Sequence, residues 1–411
     1  MIRQYTYKFR FYPNKEQASF LDAQFGQCRF IYNFFLERAV NLYKLHNIKF
    51  NYYESKKIIP LLKKGFPFLK GCNSQSLQAS LKNLDAAFRN FFQHRSKFPN
   101  FKKKISSNSI SVPQHFTITD SILLIPKLKS GIRVKFHRRV SETVKSITIT
   151  KNQSGKYYVN MLVEKTFAPL PGTNKVSGID VGIKSFAAIT SGVEANNSIT
   201  VKVDNPKYLV RAQAQLKKLN RQFAKKTKGS KNKVKFRKRL SALHEKVANQ
   251  RKDFQHKLSS RTVNDSQVIV LEDLNIKGMV KNRHLSKSIY DAAWGMFAGQ
   301  LAYKADWYGR EILMVNRFYP SSKTCPVCGF VNADLKLSER KWMCPECETE
   351  HDRDVAASLN LFLEGLKKVG RVSPKPAYEG PTPVEYAPAG IQNTGYSCHT
   401  PKQEARRFIG G

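Results

Sequence analysis

Four cysteines carry the clearest chemical signal in the chain: Cys325-x2-Cys328 and Cys344-x2-Cys347, with 15 residues between the pairs. Each CxxC turn directs two sulfurs at one point. The spacing is that of a four-thiolate zinc ribbon, a closed Zn²⁺ site that shapes structure and leaves no open position for catalysis. Pro326-Val327 and Pro345-Glu346 fill the turns, and Gly329 permits a tight exit from the first. An acidic stretch follows at once, His351-Asp352-Arg353-Asp354. Asp354 opens the helical pattern AASLNLFLEGL, Asp180 sits inside the apolar run VSGIDVGI, and Glu272 follows QVIVL. An unpaired buried carboxylate is strongly unfavourable, and a hard divalent cation, Mg²⁺ or Mn²⁺, offsets that. Two such ions on shared carboxylates stabilise the attacking and leaving oxygens of phosphodiester hydrolysis. Taken singly, each acid is weak evidence and is more often an ordinary cap or ion-pair partner.

Two strands must deliver the first two acids and a helix the third. Residues 176–183 read as a buried strand with SFAAIT as its hairpin partner, QVIVL as a second buried strand, and REILMVN as a third. Helical periodicity covers about Ser288 to Tyr308, and again from Asp354 to about Val369. A long helical stretch, about Pro206 to Ser260, is broken at Gly229-Ser230 into two antiparallel helices. Upstream, Tyr5, Tyr7, Phe9 and Phe11 alternate with charged residues as a strand that Pro13-Asn14 ends. Residues 15–92 carry apolar residues at helical steps, punctuated by Pro60, Pro67 and Gly71 into separate helices. Strand patterns return over 110–167, so a β-barrel or sandwich built from residues 1–14 and 110–167 brackets a helical insertion. Residues 371–411 are rich in Pro, Gly, Ser and Thr and read as a disordered tail, in which Cys398 has no evident partner.

Lys and Arg number 71 against 30 acids, a formal charge of +41. A compact protein so charged repels itself, and a polyanion, nucleic acid foremost, is the natural partner. Between Arg211 and Lys257 there are 17 Lys or Arg and two acids, too few for i,i+4 pairing. Lys217, Lys218, Arg221, Arg237 and Arg239, with Lys102, Lys103 and Lys104, are the candidate phosphate contacts. Gln78 and Lys82, on the helix around 74–92, are further candidates, against the alternative of a solvated helix face. No apolar leader region or membrane-spanning stretch is evident, and one group of four cysteines with three singletons fits a reducing compartment.

Several motifs, in order, resemble the TnpB family of transposon-encoded, RNA-guided nucleases related to the compact type V CRISPR effectors. They are FRFYPNKEQ, CRFIYNFFL, LQASLKNL…FPNFKKK, GIDVG, RKDFQHKLS, LEDLNI, SKSIYDAAWG, YPSSKTC, the CPVCG/CPECE ribbon and HDRDVAASLN, together spanning roughly residues 1–369. The resemblance implies a multidomain α+β protein. Residues 1–14 and 106–168 would form a wedge-like β-barrel and 15–105 a helical recognition insertion. An RNase H-like, RuvC-type nuclease would occupy 169–321 and 351–370, with the zinc ribbon inserted at 322–350. By the same likeness Asp180, Glu272 and Asp354 bind Mg²⁺. The implied partners are a guide RNA from the transposon end and double-stranded target DNA with a displaced single strand, met by a monomer in a prokaryotic cytoplasm without membrane attachment. The implied activity is cleavage of target DNA beside a short adjacent motif.

Alternatives stay open at this level. Asp352 competes with Asp354, and Asp273 with Glu272, although strand parity favours Glu272. His351 is either a support for the site or a plain loop histidine, and Arg353 either a phosphate contact or an ion-pair partner. Where the family usually has Asn two residues after the last acid this chain has Ala356, while Asn360 is kept. A catalytically silent RNA-guided regulator and a strand-joining transposase are the rival functions.

Overall fold

The computed structural model describes residues 1–104, 108–336 and 338–370; the stretch 371–411, with Cys398, lies outside the described residues. The chain divides into two compact units. One holds residues 2–166 and 222–242, the other Met1, 167–221 and the described residues from 243 onward.

In the first unit, β1 (Ile2–Phe11) is followed by α1 (Lys15–His46), α2 (Tyr52–Gly65), a 3-10 turn (Pro67–Gly71) and α3 (Ser74–Phe92). Six strands then follow: β2 (Asn108–Val112), β3 (Thr117–Thr119), β4 (Ile122–Leu124), β5 (Ile132–Lys135), β6 (Val144–Lys151) and β7 (Tyr157–Thr166). With β1 they form one curled seven-stranded antiparallel sheet in the order β2-β6-β7-β1-β5-β4-β3. Phe9 and Phe11 of β1 share a core with Leu21, Ile31 and Phe35 of α1 and Leu77, Leu81 and Leu84 of α3. Asn14 starts α1 with a reciprocal capping box to Gln17. Pro60 does not separate helices as the sequence predicts. It lies inside α2, where Ile59 and Leu62 on either side are buried and offset the lost backbone bond. Pro67 and Gly71 do mark the ends of the short 3-10 turn.

The second unit opens with β8 (Val176–Val181), β9 (Ser185–Gly192) and β10 (Ser198–Asp204), then α4 (Tyr208–Ala224) and α5 (Lys231–Asp265), of which residues 222–242 belong to the first unit. Next come β11 (Val268–Glu272), α6 (Ile276–Met279), α7 (Ser286–Ala292), α8 (Trp294–Tyr308) and β12 (Glu311–Val315). A hairpin, β13 (Lys341–Met343) and β14 (Glu350–Asp352), precedes α9 (Arg353–Lys368). The main sheet runs β10-β9-β8-β11-β12, antiparallel through the first three strands and parallel from β8 to β12. This is the RNase H-like arrangement that the motifs imply.

Side-chain parity divides this sheet into two faces. Ile179, Ile269 and Leu271 pack with Trp294, Phe297 and Leu301 of α8. Val176, Val268 and Val270 pack with Leu359, Leu361 and Phe362 of α9. Alternation therefore puts Asp180 and Glu272 on the α9 face. The single helix predicted for 288–308 is two helices, because Ala293 adopts φ 54° between α7 and α8. The buried amide of Gln255 donates to the carbonyls of Ala292 and Ala293 at 2.6 and 3.2 Å, which satisfies the ends the break exposes.

Lys304 of α8 is buried without a carboxylate. Its ammonium donates to the His256 carbonyl at 2.8 Å and to the Ser259 and Ser260 hydroxyls at 2.7 and 2.8 Å. Burial pushes it down to about 8, against 10.5 for a free lysine. Between those values the unfolded chain binds more protons, so stability rises with pH from about 8 to 10.5, by roughly 2 kcal/mol from this group. Lys304→Met is expected to flatten that rise in urea titrations at pH 7.5 and 9.5. Parallel curves for the two proteins would refute the assignment.

Candidate active site

Strand β11 runs beside β8 with Leu271 opposite Ile179, so Glu272 and Asp180 each follow a paired residue at the same end of neighbouring parallel strands. Helix α9 crosses this face very closely. A Cβ on Gly178 would lie 2.2 Å from the Phe362 amide nitrogen and 2.4 Å from the Ser358 carbonyl oxygen. One on Gly365 would meet Val270 and Val176 at 2.5 and 2.7 Å. As β8 advances from Val176 through Gly178 to Asp180, α9 thus recedes from Gly365 through Phe362 and Ser358 towards its first turn, which holds Asp354. Gly178→Ala is expected to lower stability by about 1–3 kcal/mol through overpacking. Its melting midpoint should fall by several degrees, while Gly172→Ala, which meets nothing within 4 Å, stays at the parental value.

The electrostatics report the convergence. Burial, then the charges of Glu272 and Asp354, push the Asp180 carboxyl well above its ordinary range, with Arg353 and Arg340 opposing. Burial raises Glu272 as well, and the Ser321 hydroxyl donating to it opposes the rise. Asn360 of α9, itself buried, donates to the carbonyls of Ser321 and Thr324 at 2.7 Å each. The helix that carries Asp354 therefore also fixes the loop that touches Glu272. Arg340 reaches Asp354 at 3.2 Å. The neighbouring charges of Glu272 and Asp354 disfavour an ionised Asp180, and a divalent cation would relieve that repulsion; among the described residues only the four cysteines already bring their ligand atoms within 4.8 Å of one another.

The rival acids have other partners. Asp352 caps α9, accepting from the amides of Asp354 and Val355, and pairs with Lys202 at 2.6 Å. Asp273 pairs with Arg317. The Arg353 guanidinium lies 3.4 Å from the Lys336 carbonyl and 3.5 Å from the Ser322 hydroxyl. Ala356 is buried, so a methyl group stands where the family usually has an amide.

The cysteines form the second centre. Their four sulfurs lie within 4.8 Å of one another, with Cys325–Cys347 at 3.6 Å and Cys328–Cys344 at 3.5 Å. Tetrahedral zinc with Zn–S bonds of about 2.3 Å needs sulfurs about 3.8 Å apart, so the set fits zinc. Both knuckles share one backbone pattern. Cys325 N bonds Phe330 O at 2.8 Å and Gly329 N bonds Cys325 O at 2.9 Å; Cys344 N bonds Thr349 O at 3.0 Å and Glu348 N bonds Cys344 O at 2.9 Å. The shared turn requires positive φ, supplied by Gly329 at 81° and, at the matching place, by Glu348 at 55°. His351 is no plain loop residue: its Nε2 lies 3.1 Å from Cys325 Sγ, with its ring against Trp342.

An RNase H-like core with a four-cysteine ribbon between the last strand of its main sheet and α9 is the class this geometry defines. Comparison with known proteins agrees. Residues 157–283 match the family model described as "Probable transposase" (OrfB of IS605), 294–361 that of the Cas12f1-like TNB domain, and 1–49 one described as a helix-turn-helix domain. In this chain the last stretch forms β1 and one continuous helix. A Streptomyces pristinaespiralis protein named "Putative RNA-guided DNA endonuclease" is 36% identical over 88% of this chain and 89% of its own length. "Putative RNA-guided DNA endonuclease InsQ" of Escherichia coli is 29% identical over 89% and 93%. The chain belongs to the TnpB family. A solved Cas12f1–guide RNA–target DNA complex shares the fold, with TM-score 0.54 and 16% identity over 84% of this chain and 82% of that one.

The basic candidates are spread over both units. Lys217, Lys218 and Arg221 are exposed in the second unit. In the other unit Arg237 lies over the Phe223 ring at 5.9 Å and Arg239 over Phe236 at 5.3 Å. There too Lys102 lies 3.9 Å from the Tyr32 ring, its backbone held by Asn33; Lys82, Lys103 and Lys104 are exposed and Gln78 half-buried. Sequence reasoning did not assign Ser321, Arg340 or Lys202. Ser321 lies within the YPSSKTC motif, which could have flagged it; the other two carry no local signal. Among the described residues no helix is long and apolar enough to cross a membrane.

Proposed function

We propose that the protein is an RNA-guided endonuclease that hydrolyses DNA phosphodiester bonds with Mg²⁺ held by Asp180, Glu272 and Asp354. The convergence of these three acids on one face of the RNase H-like sheet carries the reading, and the names of the relatives supply the guided character. Bound cations would neutralise charge on the scissile phosphate and raise the acidity of the attacking water. Asp180 and Glu272 supply ligand oxygens from rigid strand ends. Asp354 supplies one from a helix whose N-terminus Asp352 fixes, and Ser321 orients Glu272 by its hydroxyl. Arg340 pairs with Asp354 at 3.2 Å and holds its side chain in place. On this reading residues 1–14 and 106–168 are the wedge, 15–105 the recognition insertion and 322–350 a zinc-held clip.

The test is purification of the protein expressed with its native flanking DNA, sequencing of the bound RNA, and cleavage of a plasmid library matching that RNA. One discrete RNA species and Mg²⁺-dependent, EDTA-sensitive cuts beside a short common motif are expected. Absence of a discrete RNA, or binding without any cut, would overturn the proposal.

A further inference from the structure

Two adjacent aromatic residues follow β12, and the more apolar one faces solvent. Tyr319 packs against the apolar cluster beneath α9, where burial and the charges of Glu364 and Glu272 raise its phenol well above the ordinary range. Phe318 is 85% exposed, more than any other large hydrophobic residue among those described. Burying a phenylalanine stabilises by about 1.5–3 kcal/mol, and a buried tyrosine needs a partner for its hydroxyl, so burial alone favours the reverse arrangement. The loop enforces the present one. Arg317 pairs with Asp273, and the Asn316 side chain accepts from Phe318 N at 2.9 Å. Tyr319 N bonds Asn316 O at 2.9 Å, and Ser321 N bonds Tyr319 O at 2.8 Å. The Ser321 hydroxyl then meets Glu272, and its carbonyl meets Asn360. Phe318 is three residues from Ser321, so their Cα atoms are within roughly 11 Å.

We propose that Phe318 is a stacking platform for a base of the single DNA strand entering the acid cluster, a positioning residue for the cleavage step; this rests on the nuclease reading above. A duplex already stacks its bases on one another and offers an exposed ring no free face, whereas a single strand does. Stacking accepts any base, which suits a site whose sequence choice is made elsewhere. Arg340 and Arg353 beside the acids supply the cationic surroundings a strand backbone needs.

The test uses the purified protein–RNA complex and a matched target. Phe318→Ala is expected to slow single-turnover cleavage by about fivefold to a hundredfold with target affinity unchanged, and Phe318→Trp to stay near the parental rate. In an Asp180→Ala background, 2-aminopurine placed near the cut is expected to be quenched by stacking, and the quench to vanish in Phe318→Ala. Parental cleavage and quenching in Phe318→Ala, or a Phe318→Trp complex as slow as Phe318→Ala, would overturn the proposal. A parental complex that quenches the probe but never cuts would instead overturn the nuclease reading and leave the stacking established.

Discussion

Asp180→Ala is expected to reduce target cleavage on the order of a thousandfold or more while RNA and DNA binding persist. On the proposed function the effect is large because a metal ligand would go, and with it several kcal/mol of charge stabilisation at the reacting phosphate. The variant should fold normally, for a specific reason. Asp180 is crowded by Glu272 and Asp354, so without metal its charge opposes folding. Metal-free Asp180→Ala should therefore melt no lower than the parent in EDTA, although most buried substitutions destabilise. Gel-based cleavage, mobility shifts and thermal melts check the three parts. Unchanged cleavage would remove Asp180 from the site, and lost binding would make it structural.

Cys344→Ser has the second large effect. Cys344 is fully buried at the centre of the ribbon, and a serine hydroxyl is a poor zinc ligand in a thiolate set. Four-ligand zinc sites gain roughly 10–16 kcal/mol of apparent binding energy, which in so small a unit is folding energy. Zinc content should fall from one ion per chain towards none, and proteolysis within residues 322–350 should accelerate at least about a hundredfold. Cleavage should fall too, since Arg340 and the β13–β14 hairpin lead directly into the cap of α9. Retention of stoichiometric zinc in the variant would refute the ligand assignment.

The strands that carry Asp180 and Glu272 were legible because they are short, largely apolar runs, one with a carboxylate inside it and the other with one at its end. VSGIDVGI and QVIVL form the buried strands β8 and β11, and parity puts Glu272 on the same face as Asp180. The ribbon was legible from spacing alone. What escaped was set by long-range contact. Ala293 looks like a helix interior, yet the Gln255 amide, from α5, caps the break made there. Pro60 looks like a helix end, yet its neighbours are held by the core. Arg340 and Ser321 belong to the site only because the chain returns them to acids at distant positions, and no local periodicity encodes that return.

The overlay of α9 on β8 has a consequence for biosynthesis. A ribosome adding roughly 5–20 residues per second makes Asp180 some ten to thirty seconds before Asp354. Throughout that interval the nascent strand carries a glycine notch at Gly178 with no helix to fill it, and an incomplete acid set. A truncated or stalled product ending before α9 would thus lack Asp354 and, on the proposed function, the cutting site, however well its earlier part folds. On the proposed function, competence to cut DNA would arrive only with α9.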